Sequence, residues 1–196
     1  MLRRVASRVS LRSRERKLRL FLETFEPGPG TTVLDLGVTD SGFGGTYGTD
    51  NFLEAMYPWP ERITAVGITE LERFGAAFPR VRRVTADGRH LPFADGEFDL
   101  GFSNAVVEHV GGRDDQRAFV HELCRVARRV FVTTPNRWFP IEVHTLLPVV
   151  HWLPRGARPA SLDGIELLGP RGFRALFPYP VRVINTGLTL VAVGEG

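Results

Sequence analysis

Short apolar runs separated by polar segments dominate the sequence, and they predict strands that alternate with helices. Five such runs precede the last quarter of the chain: residues 31–37, 63–68, 81–86, 98–103 and 130–134. Most are apolar at both alternating positions, which is typical of parallel strands covered on both faces. The pattern therefore predicts a Rossmann-like, doubly wound α/β fold.

The helical pattern is clearest between the fourth and fifth runs, over residues 115–128. There Phe119, Val120 and Leu123 recur near the helix period, with arginine and glutamate on the opposite face. Asp114 and Asp115 suit the N-terminus of this helix.

The end of the chain departs from the alternation. Residues 181–185 and 188–193 read as two strands, and the Thr186–Gly187 step between them is a hairpin signal. Added to the five earlier runs, they predict a mostly parallel seven-stranded sheet that ends in an antiparallel hairpin.

Length and composition narrow the class of protein. A chain of 196 residues with 43% hydrophobic residues suits one α/β domain. Its apolar stretches are too short to span a bilayer, and its start lacks a secretory apolar core. The single cysteine, Cys124, excludes an intramolecular disulfide and an all-cysteine metal site. We expect a cytoplasmic protein.

The net charge of +3 conceals an asymmetry. Residues 1–20 contain eight Lys or Arg and one acid, whereas the remainder contains seventeen Lys or Arg and twenty-one acids. We predict a basic arm or helix over residues 1–20 and a single domain over residues 21–196. A basic surface confined to the first segment does not predict nucleic-acid binding by the domain. The segment is either a solvated arm leading into a core helix or a peripheral contact for an anionic membrane surface or RNA.

Polar and glycine residues follow four of the predicted strands, at the edge where doubly wound sheets bind ligands. Asp35 and Gly37 end the first strand, and Glu70 follows the second, where it either accepts ribose hydroxyls or caps a helix. Asp87 and Gly88 follow the third strand. The fourth strand delivers Ser103, and then Glu108 and His109, to the same rim.

The string VLDLG, followed by ADGRHLPFADGEFDLGFSNAVVEHV, resembles the class I S-adenosylmethionine-dependent methyltransferases of the type-11 branch. The resemblance extends over residues 31–193 and implies a methyltransferase that uses S-adenosylmethionine. It also implies roles for the strand ends. Gly37 would contact the methionine end of the cofactor, the acid after the second strand the ribose, and Asp87 the adenine amine.

The first loop departs from the family pattern, because Thr39 and Ser41 occupy positions where glycines are usual. Side-chain hydroxyls or amides are therefore expected to replace backbone contacts there, with Asn51 a further candidate. The predicted cofactor-binding residues are Asp35, Gly37, Thr39, Asn51, Glu70, Asp87, Gly88 and Ser103.

Residues 133–154 follow the fifth strand and are rich in proline and aromatic residues, which suits a wall or lid for a partly apolar substrate. Packing over the open end of the sheet is the alternative. A base is needed only for an acceptor that is protonated at working pH. His109 and His144 are the candidates, with Glu142 as orienter or base. No metal site is predicted.

Two functions remain open at this point. The first is methyl transfer to a small-molecule, lipid-linked or sugar-linked acceptor. The second is a non-catalytic binding protein that keeps the fold and binds a partner, RNA or a membrane surface through its basic segment. A nicotinamide enzyme is disfavoured because the G-x-G-x-x-G spacing is absent.

Overall fold

The computed structural model describes residues 2–41, 51–141, 147–154, 157 and 159–196, with side chains from residue 11 onward. Seven strands form one sheet: β1 Val33–Leu36, β2 Ile63–Gly67, β3 Arg82–Thr85, β4 Phe98–Asn104, β5 Ala127–Pro135, β6 Arg182–Asn185 and β7 Thr189–Glu195. The helices are α1 Leu2–Phe25, α2 Phe52–Met56, α3 Glu72–Ala77, α4 Arg113–Val126 and α5 Pro170–Arg174.

The strand order is β3-β2-β1-β4-β5-β7-β6. The first five strands are parallel, and β7 pairs antiparallel with both β5 and β6. The predicted fold class, including the terminal hairpin, is confirmed. The chain order reverses between β1 and β4, so a ligand crevice is expected at their carboxyl ends.

Two hydrophobic layers cover the sheet. The first packs α4 and α5 on one face, with Leu34, Phe119 and Phe173 at its centre. The second packs α1, α2 and α3 on the other face around Phe21. The Phe21 ring meets the rings of Phe102 and Phe131 edge-on, at centroid distances of 5.3 and 5.5 Å.

Helix α1 differs from a purely solvated arm. It continues through residue 20 without a break, and Leu18, Phe21 and Phe25 are buried. Contacts near the amino ends and near the carboxyl ends of the strands fix the direction of α1. The guanidinium of Arg129, near the start of β5, lies over Phe25, whereas Lys17 reaches Asn104 at the carboxyl end of β4. The amino-terminal half of α1 therefore extends beyond the carboxyl edge.

Helix boundaries were predicted only approximately. Helix α4 begins at Arg113 and ends at Val126, and β5 starts directly at Ala127. The apolar periodicity predicts a later helix end, at residue 128. Arg128 and Arg129 are equally compatible with a helix and with the exposed start of a strand, so the periodicity does not locate the boundary. Within the described residues, no helix combines the length and the apolarity needed to cross a membrane.

Candidate active site

A cavity of about 760 Å³ opens at the carboxyl ends of β1, β2 and β4. This volume lies within the range of small-molecule and cofactor pockets. Residues from separate loops and from α1 line it, among them Arg14, Gly37, Thr39, Asn51, Ile68, Asp87, Gly88, Arg89, Asn104, Val106, His109 and Phe119. The structure thus brings together Gly37, Thr39, Asn51, Asp87, Gly88 and His109 from the residues predicted by sequence.

Gly37 makes the turn out of β1 in a conformation that favours glycine. Its φ is +102°, and a Cβ built there would lie 2.4 Å from a methyl group of Val106. Its amide and that of Val38 both donate to the carbonyl of Val66, at 2.8 and 3.1 Å. The backbone at the end of β1 can therefore approach a ligand closely while it stays fixed to β2.

Side chains fasten the part of this loop that lacks the usual glycines. Asn51 accepts from the Thr39 amide through Oδ1 at 3.1 Å, and it donates to the Thr39 carbonyl through Nδ2 at 2.9 Å. Asp40 accepts the Phe74 amide at 2.6 Å, in the first turn of α3. Asn51 thus combines a place in the cavity lining with a clamp on the loop.

Glu70, the predicted ribose contact, lies outside the cavity lining, two residues after Ile68. Residues 68–70 are exposed, and of these only Ile68 lines the cavity. Leu71 is buried directly afterwards and leads into α3. The chain therefore turns away from the crevice before Glu70.

Asp87 lies in the cavity lining within a compact ion-pair cluster. Its carboxylate accepts from the amide and the guanidinium of Arg89, and Arg89 also pairs with Asp115 at 2.7 Å. These hydrogen bonds lower the pKa of Asp87 to about 2. The carboxylate is thus held ionised and in one orientation, and it retains acceptor capacity for a ligand amine.

Gly88 provides space for an aromatic wall. A Cβ at this position would lie 2.6 Å from the ring of Phe119, which itself lines the cavity. Glycine is needed here for close packing, since its φ does not lie in the left-handed region.

Two predicted cofactor contacts, Ser103 and Asp35, lie behind the cavity. The Ser103 hydroxyl is buried and donates to the Leu36 carbonyl at 2.8 Å, so it ties β4 to β1. Asp35 is buried on the face of β1 covered by α2, where its carboxyl meets that of Glu54. Both residues occupy the predicted strand ends, but side chains alternate along a strand, and these two face inward.

The Asp35–Glu54 pair is a buried acid pair. Burial is the main cause that raises the pKa of each carboxyl, and for Asp35 the neighbouring Glu54 raises it further. Two like charges cannot both be held cheaply in such a site. Burial and mutual repulsion therefore both favour the protonated form of one of the two carboxyls. A void of about 20 Å³ adjoins Asp35, Asn51 and Asn104.

Helix α1 supplies basic residues that the sequence did not identify as part of the site. Arg14 lines the cavity, and Lys17 donates to Oδ1 of Asn104, which also accepts from Thr133. Burial lowers the pKa of Lys17 to about 8. The only sequence signal was that Lys17 immediately precedes the apolar face that begins at Leu18.

Glu108 and His109 form an acid–imidazole pair at the rim. His109 lines the cavity, and its Nε2 lies 4.0 Å from Oε1 of Glu108. Glu108 is fully buried and accepts from the Thr134 hydroxyl through Oε2 at 3.1 Å. Burial raises the pKa of Glu108 to about 7. A half-exposed imidazole thus faces the cavity with a carboxyl behind it.

The other two catalytic candidates, Glu142 and His144, lie outside the described residues. The flanking parts of the same segment form a folded loop after β5. The Val149 amide donates to the Pro140 carbonyl at 2.7 Å, and the Trp152 indole donates to the Arg137 carbonyl at 2.7 Å. Among the described residues, no cluster of His, Cys, Asp or Glu could hold a metal ion.

Comparisons with known proteins found similarity both in part of the sequence and in the whole fold. Residues 39–130, just under half of the chain, match the model of the methyltransferase domain family. The chain is therefore similar to this family over that part of its sequence, and it shares the fold of S-adenosylmethionine-dependent methyltransferases of known structure. No curated protein sequence matches it.

Solved structures share the fold over most of the chain at low sequence identity. The PH0226 protein from Pyrococcus horikoshii is 18% identical with a TM-score of 0.66, covering 94% of this chain and 90% of that one. An S-adenosylmethionine-dependent methyltransferase from Mesorhizobium loti is 14% identical with a TM-score of 0.61, covering 89% and 95%. The N-methyltransferase NodS from Bradyrhizobium japonicum, solved with S-adenosylhomocysteine, is 14% identical with a TM-score of 0.62, covering 93% and 86%.

Proposed function

We propose that this chain transfers a methyl group from S-adenosylmethionine, bound in the 760 Å³ cavity, to a small-molecule, lipid-linked or sugar-linked acceptor. The observation that carries the proposal is the close approach of backbone at two strand ends. At both Gly37 and Gly88 a Cβ would collide with neighbouring side chains. The cofactor's sulfonium supplies the reactive methyl group, and the protein's task is orientation and exclusion of water.

The lining fits a zwitterionic amino acid joined to a nucleoside. Arg14 offers a cation for the carboxylate end, near the loop that Asn51 clamps. Asp87 offers an ionised acceptor for the adenine amine, and Phe119 provides an apolar wall for the ring. The altered first loop therefore retains a defined binding surface, although Thr39 replaces a glycine.

On the acceptor side, His109 is placed to take a proton from a hydroxyl group. The buried Glu108 behind it would stabilise the resulting imidazolium, in the manner of other acid–imidazole pairs. The loop after β5, with exposed Trp138 and Trp152, would provide the apolar surface for the acceptor. A cytoplasmic location is part of the same proposal.

The cofactor assignment is tested by titrating S-adenosylmethionine and S-adenosylhomocysteine in a calorimeter. We expect Asp87→Ala to weaken binding by about tenfold or more, because the loss of one charge-assisted hydrogen bond costs about 1.5–3 kcal/mol. Asp114→Ala is the matched control, since Asp114 is an exposed acid that lies outside the cavity lining. Absence of binding by the wild-type chain at millimolar ligand would favour the non-catalytic alternative.

The role of His109 is tested by the release of S-adenosylhomocysteine in an acceptor screen. With an acceptor in hand, His109→Gln should lower kcat by about 10²-fold or more while cofactor affinity changes little, because general-base catalysis typically contributes that factor. His121→Gln on the exposed face of α4 is the control. An unchanged kcat would remove His109 from the mechanism and point to an acceptor that needs no base.

A further inference from the structure

We propose that the carboxyl edge of this protein docks on a bilayer that contains anionic phospholipids, through the apolar side chains of residues 137–141 and 147–153, called the loop below. The inference adds a second partner to the loop that is proposed above to contact the acceptor, and it does not depend on which acceptor is used. Three features of that edge carry it: an exposed apolar loop, an arginine-lined cleft beside it, and the direction of α1.

The apolar side chains of the loop are unusually exposed. Of the nine large exposed hydrophobic residues found in the described part of the chain, six lie here: Trp138, Ile141, Leu147, Val149, Trp152 and Leu153. Trp138 alone is 62% exposed. Contiguous exposed apolar residues mark interaction sites, whereas isolated ones need no explanation.

Internal hydrogen bonds hold these side chains in one compact loop. Ile141 pairs with Pro148 in an antiparallel bridge, and the Val149 amide donates to Pro140. The His151 ring and the Trp152 indole both bond to the Arg137 carbonyl, at 2.8 and 2.7 Å. Backbone groups satisfied within the loop lower the cost of placing it against the interfacial region of a bilayer. Tryptophan is the side chain enriched at that depth.

Positive charge borders the apolar surface. A cleft of about 540 Å³ is lined by Arg113, Arg137 and Arg171 together with Trp138. The Arg137 guanidinium lies over the Trp138 ring at 5.8 Å, and Arg113 pairs with Glu166 at 3.8 Å. Arginines beside a tryptophan match a lipid phosphate next to the acyl boundary, since guanidinium groups suit phosphate oxygens.

Helix α1 adds charge at the same edge. Because Arg14 lines the cavity and Phe25 lies near the start of β5, residues 2–13 continue past the carboxyl edge by roughly 18 Å at 1.5 Å per residue. The sequence places Arg3, Arg4, Arg8 and Arg12 in that part of the helix. An anionic surface that meets the loop would therefore also meet this charge.

The charge pattern favours a bilayer over a second copy of the chain. From residue 137 to residue 160 the sequence contains three arginines, at 137, 155 and 158, and one acid, Glu142. Two copies that met through the cleft would bring Arg113, Arg137 and Arg171 of each copy together, whereas anionic headgroups would neutralise them.

The test is co-sedimentation of the full chain with vesicles of phosphatidylcholine alone and of phosphatidylcholine with 30% phosphatidylglycerol. We expect binding to the anionic vesicles. Trp138→Ala with Trp152→Ala should weaken it by at least tenfold, and Arg171→Ala by about fivefold, the factor for one basic residue at an anionic surface. Met56→Ala and Arg80→Ala, which change exposed residues outside the loop, should bind like the wild type.

Depth is measured separately by tryptophan fluorescence with brominated lipids. Brominated lipids should quench the fluorescence of Trp138 and Trp152. They should not quench that of Trp59, whose ring packs against Tyr57 at 5.8 Å. Calorimetric binding of S-adenosylhomocysteine by each variant verifies its fold, so failure of docking stays distinct from failure of the cofactor assignment.

Four outcomes would overturn the proposal. They are absence of vesicle binding by the wild type, unchanged binding after both tryptophans are replaced, self-association that the tryptophan variant abolishes, and stabilisation by soluble glycerol phosphate without vesicle binding. The last would make the cleft a site for a free phosphate compound.

Discussion

Gly37→Ala is expected to lower the free energy of unfolding by about 2–5 kcal/mol and to weaken S-adenosylhomocysteine binding at least tenfold. Two causes add. A positive φ costs a residue with a Cβ about 1–2 kcal/mol, and the new methyl group would lie 2.4 Å from Val106, where overpacking costs about 1–3 kcal/mol. The measurements are urea denaturation and calorimetric titration.

A double-mutant cycle separates the two causes. Val106→Ala removes the methyl groups that a Cβ at Gly37 would strike, so the double variant should recover the overpacking cost and retain the backbone cost. Gly28→Ala is the matched control, because a Cβ there has no atom within 4 Å. If Gly37→Ala were as stable as the wild type and bound equally well, the first loop would not be the cofactor loop.

Stability is expected to fall as pH rises from 5 to 7.5, because of buried carboxyls. The folded-state pKa values of Asp35, Glu54 and Glu108 are raised, mainly by burial. The folded chain therefore keeps protons that the unfolded chain has already released, and unfolding becomes easier through this window. For Glu108, a rise from 4.5 to about 7 corresponds to about 3 kcal/mol lost above pH 7.

Glu54→Gln tests this directly. A neutral amide cannot repel the Asp35 carboxylate and can donate to it, so the variant should be more stable than the wild type at pH 7.5 and show a flatter pH profile. Glu61→Gln, which alters an exposed ion pair with Arg80, should leave the profile unchanged. Denaturation curves between pH 5 and pH 7.5 provide the measurement. Wild-type stability that is constant or rising over this range would contradict the buried-pair interpretation.

The sheet could be predicted from sequence because most of its strands are short apolar runs and the Thr186–Gly187 turn marks the hairpin. Which strand-end residues reach the cavity could not be predicted equally well. One residue of displacement reverses a side chain in a strand. Thus Ser103 turns inward to the Leu36 carbonyl, while Asn104 lines the cavity.

The sequence did not predict which residues of distant segments contact each other. Asn51 clamps Thr39 from twelve residues away, and Lys17 meets Asn104 across 87 residues. The sequence pattern around a lysine in a basic run does not distinguish a solvated side chain from a buried one. For Glu70 the sequence allowed either a ribose contact or a helix cap, and the structure places it outside the cavity lining, directly before the buried Leu71.

The position of α1 has a consequence for the order of events during synthesis. Helix α1 precedes the whole sheet along the chain, yet Phe21 packs on Phe102 and Phe131, about 80 and 110 residues later. The partner of β5, strand β7, is the last of the seven strands to leave the ribosome. Because such distant contacts form slowly, the nascent α1 is left with an exposed aromatic face until translation of the sheet is nearly complete.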